Sequence, residues 1–196
     1  MKNLLRSHLP TALLALTVTG VAIAEIQIAM QPVPQDKIDI RFVSKQMNVP
    51  VEGKFRKAKA NVAFDPAKVE GSKAQMEIDL ASIDLGLPEA ETEVKRPAWF
   101  DTAKFPTATF VSSGVKPLAG GKYEVSGKLT IKGITHDVAA PVTVSPGPGG
   151  TNNIAGAFTI KRLDYKIGEG TWSDTDTVAN EVEIKFKLSL PPGAKK

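Results

Sequence analysis

Beyond the first two dozen residues the chain holds one histidine, His136, and Asp137 follows it directly. A histidine with an aspartate is two thirds of the apparatus that activates a serine. The residues around this pair alternate as a strand does, and strand neighbours point to opposite faces. Asp137 therefore cannot orient His136, which reads as a packing or surface residue. Zinc lacks ligands, since there is no cysteine and a single histidine cannot fill a tetrahedral site. Gly168-Glu169-Gly170 is a fragment of a phosphate-cradling motif without the strand-turn-helix context that such a motif needs, and reads as a turn. Asp174 and Asp176 lack the regular ligand spacing of a calcium loop and read as a solvated loop. No set of redox ligands is visible either. The expectation is a protein that is not an enzyme, with no metal and no catalytic cofactor.

Charge excludes another class. The chain has 196 residues, 25 basic and 21 acidic, for a formal net charge of +4. Lysines and acids interleave with no basic block, and aromatics are few. Nucleic-acid binding would want a clustered basic stripe with stacking rings, so no nucleic-acid partner is expected. Residues 1–24 read as a secretory signal peptide. Lys2 and Arg6 make a basic start, Leu9 to Ile23 is an apolar run, and Ala22-Ile23-Ala24 is a small-x-small cleavage site. The run is short for a membrane span of about 20 residues. No cysteine follows it, which argues against a lipid-anchored protein. The mature protein is expected in the periplasm, and the absence of thiols fits an oxidising compartment.

What must position any site is a set of strands. Residues 25–36, with Pro32 and Pro34, read as a flexible lead-in, and 191–196 as a flexible tail. Between them, over 37–190, period-two alternation dominates. Eight strands are predicted: Lys37–Lys45, Lys54–Asp65, Lys73–Ile83, Thr107–Val115, Lys122–Lys132, Thr135–Val144, Asn153–Arg162 and Ala179–Leu190. The last is the cleanest, with Val182, Ile184, Phe186, Leu188 and Leu190 against Glu183, Lys185, Lys187 and Ser189. Turn signals such as Asp65-Pro66 and Ala119-Gly120-Gly121 separate the runs. Short turns join antiparallel neighbours, and clean alternation means one wet face and one dry face. The class is all-β. An eight-stranded barrel, which removes exposed edges, is preferred over two packed sheets that satisfy the same pattern.

One short helix is expected near an end of the barrel, over Pro88–Ala98. Pro88 suits a first helical position, and Glu89, Glu91 and Glu93 complement its positive end. Directly after it comes Trp99-Phe100-Asp101-Thr102-Ala103-Lys104-Phe105-Pro106-Thr107-Ala108-Thr109-Phe110, with four large rings in one connection. Rings at that density are expected to seal something. The predicted inner faces meanwhile carry small residues, Ala58, Ala60, Ala74, Gly127, Ala140 and Gly156, among larger apolar ones. A barrel of eight strands is either just filled or just able to hold one ligand. From pattern alone both readings stand: open volume, or gaps filled by large neighbours with glycines relieving curvature.

Six stretches stand in order along the chain: Val51-Glu52-Gly53-Lys54-Phe55, Phe64-Asp65-Pro66, Ile78-Asp79-Leu80-Ala81-Ser82-Ile83, Trp99-Phe100-Asp101 with Phe105-Pro106-Thr107-Ala108-Thr109-Phe110, Gly127-Lys128-Leu129-Thr130-Ile131-Lys132-Gly133 and Arg162-Leu163-Asp164-Tyr165. In these the chain resembles the YceI-like family of secreted polyisoprenoid-binding proteins. The resemblance implies a lipocalin-like antiparallel barrel with a long apolar tunnel for an isoprenoid tail, such as that of a quinone or a prenyl pyrophosphate. The loop Gly168-Glu169-Gly170-Thr171-Trp172 is similar to a branch sometimes joined to membrane b-type cytochromes, which leaves room for transient contact with a membrane or such a cytochrome.

The expected function is non-catalytic binding of an isoprenoid lipid, as carrier or buffer. The alternative is a ligand-free barrel that serves as a protein-interaction or stress-response module. Removing one CH₂ from water is worth about 0.8 kcal/mol, but a membrane lipid is already out of water. A shuttle is therefore favoured over irreversible storage. Phe42, Ala58, Ala60, Phe64, Met76, Ile78, Val94, Trp99, Phe100, Phe110, Gly127, Leu129, Ile131, Phe158, Leu163 and Trp172 are expected to line or close the tunnel. Lys95, Arg96 and Arg162 are expected near a polar head group.

Overall fold

The computed structural model describes residues 29–192. The expected signal segment 1–24 and residues 193–196 of the expected tail lie outside the described residues. The described chain forms one antiparallel sheet of eleven strands in the order β1-β4-β5-β7-β8-β9-β10-β11-β2-β3-β6. Their ranges are β1 Gln31–Val33, β2 Ile38–Gln46, β3 Val49–Phe55, β4 Ala58–Ala63, β5 Lys73–Asp79, β6 Ile83–Asp84, β7 Thr107–Pro117, β8 Lys122–Ile131, β9 Ile134–Pro146, β10 Asn152–Lys161 and β11 Glu181–Leu190.

The count of eleven reduces to eight passes of the chain. β1 and β2 are one pass broken at Pro34, β3 and β4 one pass broken at Arg56–Lys57, and β5 and β6 one pass broken by a 3-10 turn at Leu80–Ser82. The first pass pairs with the second through both β1–β4 and β2–β3, and with the eighth through β2–β11. The sheet thus curls until its first and last passes meet, as the eight alternating runs predict. Each break lets a strand bend where a flat ribbon could not follow the wall.

Three boundaries differ from the sequence expectation. The lead-in is not wholly flexible: Gln31–Val33 is an edge strand on β4, and Val33 is buried. Its Pro32 stands in β1, whose edge position in the strand order tolerates proline. Residues 49–53 belong to β3, joined to β2 through Met47 (φ 47°) and Asn48 (φ 64°). Two left-handed residues in a row make the hairpin turn whose twist matches the strands, and no glycine marks it. The helix, α1, covers only Pro88–Glu93 and gives way to turns through Phe100. Pro97, which lacks an amide donor and restricts the residue before it, stops propagation.

The end that carries α1, called upper here, also holds the β2–β3 hairpin and the segment 162–180. The lower end holds the β4–β5, β7–β8 and β9–β10 connections. Two buried clusters stack along the axis. The upper one includes Ile40, Ile78, Leu80, Leu129, Ile131 and Ile160. The lower one includes Val33, Val62, Val142, Ile154, Leu188 and Leu190. Ile38, Met76, Phe158 and Phe186 pack against both.

Candidate functional site

Between the two clusters the interior is hollow. The cavity measures about 520 Å³, inside the range of about 300–1,000 Å³ that small-molecule sites occupy. Alternate residues of single strands line it from end to end: Tyr123, Val125, Leu129 and Ile131 on β8, and Val182, Ile184, Phe186 and Leu188 on β11. At a rise of about 3.3 Å per residue the β8 stripe is about 26 Å long. With a strand tilt of about 40° this is about 20 Å of tunnel. The lining is almost wholly hydrocarbon, so an apolar tail can be enclosed without stranding a polar group.

Of the residues expected at the tunnel, Phe42, Phe64, Met76, Ile78, Val94, Trp99, Phe100, Phe110, Leu129, Ile131, Phe158 and Trp172 stand on the lining. Ala58 and Ala60 do not. They are buried in the wall, Ala58 against the upper cluster and Ala60 against the lower one. Leu163 is also off the lining; it sits half-buried in the 3-10 turn Arg162–Tyr165.

Gly127 is a correction of substance. A Cβ there would stand 2.5 Å from the Phe110 ring and 2.5 Å from the Val111 carbonyl oxygen. The glycine is small because a ring already covers it. Phe42 covers Gly53 and Phe186 covers Gly156 in the same way, and both are directly opposed cross-strand pairs. Aromatic cover of a strand glycine restores the packing that the missing side chain gives up. The open volume lies instead beside Ala74, Ala108 and Ala140, which do line the cavity.

Of the cationic residues expected near a head group, Arg162 stands on the lining but is fully engaged by the protein, and Lys95 and Arg96 stand off it. Arg162 is 2% exposed. Its Nε donates to the Ala179 carbonyl, Nη1 to those of Ile167 and Gly168, and Nη2 to those of Trp172 and Val178, at 2.6–3.1 Å. A guanidinium has five N–H donors, and all five are committed. Burial lowers its pKa, and no donor remains for a ligand. Arg162 is a clamp that gathers the segment 162–180 over the upper end. Arg96 is exposed and pairs with Glu93 at 3.0 Å, and neither it nor Lys95 reaches the lining.

The clamp also builds the upper stopper. Trp99 and Trp172 meet at 5.4 Å between ring centroids, and the Arg162 guanidinium lies 5.9 Å from the Trp99 ring. Gly168, at φ +78°, makes room: a Cβ there would meet Trp99 at 3.2 Å and run into Arg162. Lys132 holds the same cap from outside, donating to the carbonyls of Pro97 and Lys166 at 2.7 Å and pairing with Glu169 at 3.1 Å.

Several lining residues escaped the sequence reading. Phe55, Val51, Leu85 and Ala90 bound the wall between upper β3 and α1, where β3 pairs with β6 only through Lys54 and Phe55. Val115 faces inward because a bulge at Ser112/Gly114 shifts the register of β7 and resets its alternation. Phe186 and Ile184 were legible in the alternation of β11. Among the described residues no cluster of three or more His, Cys, Asp or Glu side chains is placed to hold a metal.

Known proteins share this fold or part of this sequence. A solved structure of Burkholderia cenocepacia BcnA is 50% identical, superposes with a TM-score of 0.78, and covers 80% of this chain and 98% of that one. A polyisoprenoid binding domain from Saccharophagus degradans, implicated in plant cell wall breakdown, shares the fold at a TM-score of 0.64 and 20% identity over 79% of this chain and 94% of that one. A UPF0312 protein of Azotobacter vinelandii is 28% identical over 137 residues, 67% of this chain and 69% of that protein. The model of the YceI-like domain matches residues 33–190, a span that opens on the last residue of β1 and closes on the last of β11, and the chain belongs to the YceI-like family.

Proposed function

We propose that this protein binds an isoprenoid lipid, with a quinone or polyprenyl tail, in the barrel tunnel and acts in the periplasm as a non-catalytic carrier or buffer. One observation carries the reading: a continuous apolar cavity of about 520 Å³ that runs the length of the barrel. A filled barrel would serve a pure interaction module as well, and a wall built to leave this volume open would not be needed. The name of the S. degradans neighbour, a polyisoprenoid binding domain, fits the same ligand class. The energetic argument for a shuttle carries over, since enclosure replaces one apolar surrounding with another.

A carrier must meet the phase that holds its cargo. Met47, Val49 and Leu87 are 74%, 63% and 62% exposed. They stand on the β2–β3 hairpin and just before α1, the elements that also supply Gln46, Val51 and Ala90 to the cavity lining and so form its upper rim. We assign this rim to transient contact with a membrane. Mass spectrometry of the organic extract from freshly purified exported protein tests the reading. A prenyl-chain lipid in near-stoichiometric amount is expected. An extract free of lipid, from protein that also takes up no prenyl lipid in titration, would overturn it. N-terminal sequencing of the same material should begin at Glu25.

A further inference from the structure

The polar groups of the tunnel are divided unevenly between its ends. Glu89 and Glu93 of α1 stand on the upper lining. The basic residues on the lining are Arg162 and Lys73, and the donors of Arg162 are all committed. Lys73 opens β5 at the lower end, is exposed, and makes no ion pair among the described residues. The residue before it, Ser72, is 6% exposed and also lies on the lining. The Ser72 N–H donates to the Val69 carbonyl, but its Oγ is buried and finds no hydrogen-bond partner among the described residues. Tyr123 lines the same end, edge-on to Phe64 at 5.6 Å.

Buried hydroxyls are normally paired, and an unpaired one in a native fold calls for an explanation. A side-chain torsion can carry Oγ between staggered wells without moving the backbone. We propose that the lower end of the barrel, at Ser72, Lys73 and Tyr123, receives the oxygen-bearing polar end of the lipid, while the tail runs up toward Trp99 and α1. The proposal rests on the lipid-binding reading and fixes the direction in which the ligand lies. The mid-tunnel is hydrocarbon and cannot satisfy an oxygen. The upper end presents the Glu89 carboxylate, the Glu93 carboxylate already paired with Arg96, and one unpartnered donor, the buried Trp99 Nε1; it offers an anionic head no free cation and sets Glu89 against it. The lower end offers a hydroxyl that donates or accepts, a phenol and an ammonium. A phosphate and a hydroxyl share this chemistry, and the two are separated by the lysine.

The full mature protein, stripped of lipid, is titrated by displacement of an apolar fluorescent dye. Three probes share one C20 prenyl skeleton: the hydrocarbon, the alcohol geranylgeraniol, and its monophosphate. Ser72→Ala is expected to lower the preference for alcohol over hydrocarbon about two- to tenfold, the loss of one net hydrogen bond. Lys73→Gln is expected to lower the preference for phosphate over alcohol about two- to fivefold, with a larger effect at low salt. Both variants should fold: one removes an unpaired hydroxyl, the other changes an exposed side chain. Preferences that stay at wild-type values in both variants would overturn the proposal. So would a phosphate preference that rises on Glu89→Gln, because that places the head beside α1. Wild-type protein that binds the hydrocarbon keeps the tunnel reading alive through either failure. Protein that binds none of the three removes that reading, and the orientation with it.

Discussion

Filling the tunnel and crowding its wall should change stability in opposite directions. Ala140 is buried and on the cavity lining, and Gly127, one strand away on β8, is covered by Phe110. Ala140→Leu adds three carbons into open apolar space. At about 0.8 kcal/mol per buried CH₂ the gain is at most about 2.4 kcal/mol. Fixing the leucine side chain returns about 0.5–1 kcal/mol, which leaves about 1–2 kcal/mol. For a domain of this size 1 kcal/mol shifts Tm by about 2–4 °C, so lipid-free Ala140→Leu should melt about 2–8 °C higher. Gly127→Ala adds one carbon where the Phe110 ring and the Val111 carbonyl oxygen each lie 2.5 Å away. The ring can turn but the backbone oxygen is held by the sheet, and overpacking of this kind costs about 1–3 kcal/mol. Gly127→Ala should melt about 2–12 °C lower. The assay is thermal unfolding of delipidated protein followed by circular dichroism at a fixed scan rate. In the presence of a saturating prenyl lipid the order narrows, because Ala140→Leu competes with the tail for the same volume and loses ligand-linked stabilisation. If Ala140→Leu lowers Tm as far as Gly127→Ala does, the space beside Ala140 is not open and the tunnel argument fails.

Other expectations follow from named contacts. Arg162→Met leaves five carbonyls without their donor, and by analogy with a broken buried ion pair the loss is about 3–5 kcal/mol; proteolysis at 166–178 should precede global unfolding, and a cap that resists protease would count against the clamp. Tyr165 is 2% exposed and packs edge-on to His136 at 4.9 Å. Burial, with a smaller push from Asp164, raises its pKa from 10.0 to about 12. A raised folded pKa means the native state keeps a proton that the unfolded chain releases, so stability is intact below pH 10 and falls between about 10 and 12. Tyr165→Phe should abolish that alkaline fall, about 2–3 kcal/mol in depth; an unchanged alkaline limb would show that another group governs it. A long-tailed quinone should quench the emission of the Trp99–Trp172 pair saturably, with Trp99→Phe removing most of the change; emission blind to the quinone would dismiss the closing role of residues 99–110.

Much of the barrel is legible because its physics is local. β8 and β11 alternate so cleanly that their inner faces can be read off the chain, and those faces do line the tunnel. What escaped depends on partners far away in sequence. Upper β3 hides behind Pro50 and Gly53, which look like turn residues until Phe42 is laid over the glycine. The inward turn of Val115 depends on a bulge that no residue type between Ser112 and Gly114 announces. Gly127 looks like a gap because a sequence shows a residue's size and not what leans on it. Arg162 looks like a cation for a ligand because its charge is visible and the five carbonyls it serves are not.

The three rings laid over Gly53, Gly127 and Gly156 have a consequence for how such a tunnel can change. In each pair the wall thickness at one point is divided between two residues on adjacent strands. Neither can grow alone: a methyl on the glycine collides with the ring. Nor can the ring shrink alone without uncovering the glycine backbone. The calibre of the barrel is therefore inherited in coupled units, and a lineage that widens or narrows it at one level must exchange both members, for instance Phe42 with Gly53, in close succession. Substitutions at these sites should be strongly epistatic, tolerated as a double change and rejected as either single, while Ala74, Ala108 and Ala140 remain independent positions at which length or bulk of the cargo can be adjusted one residue at a time.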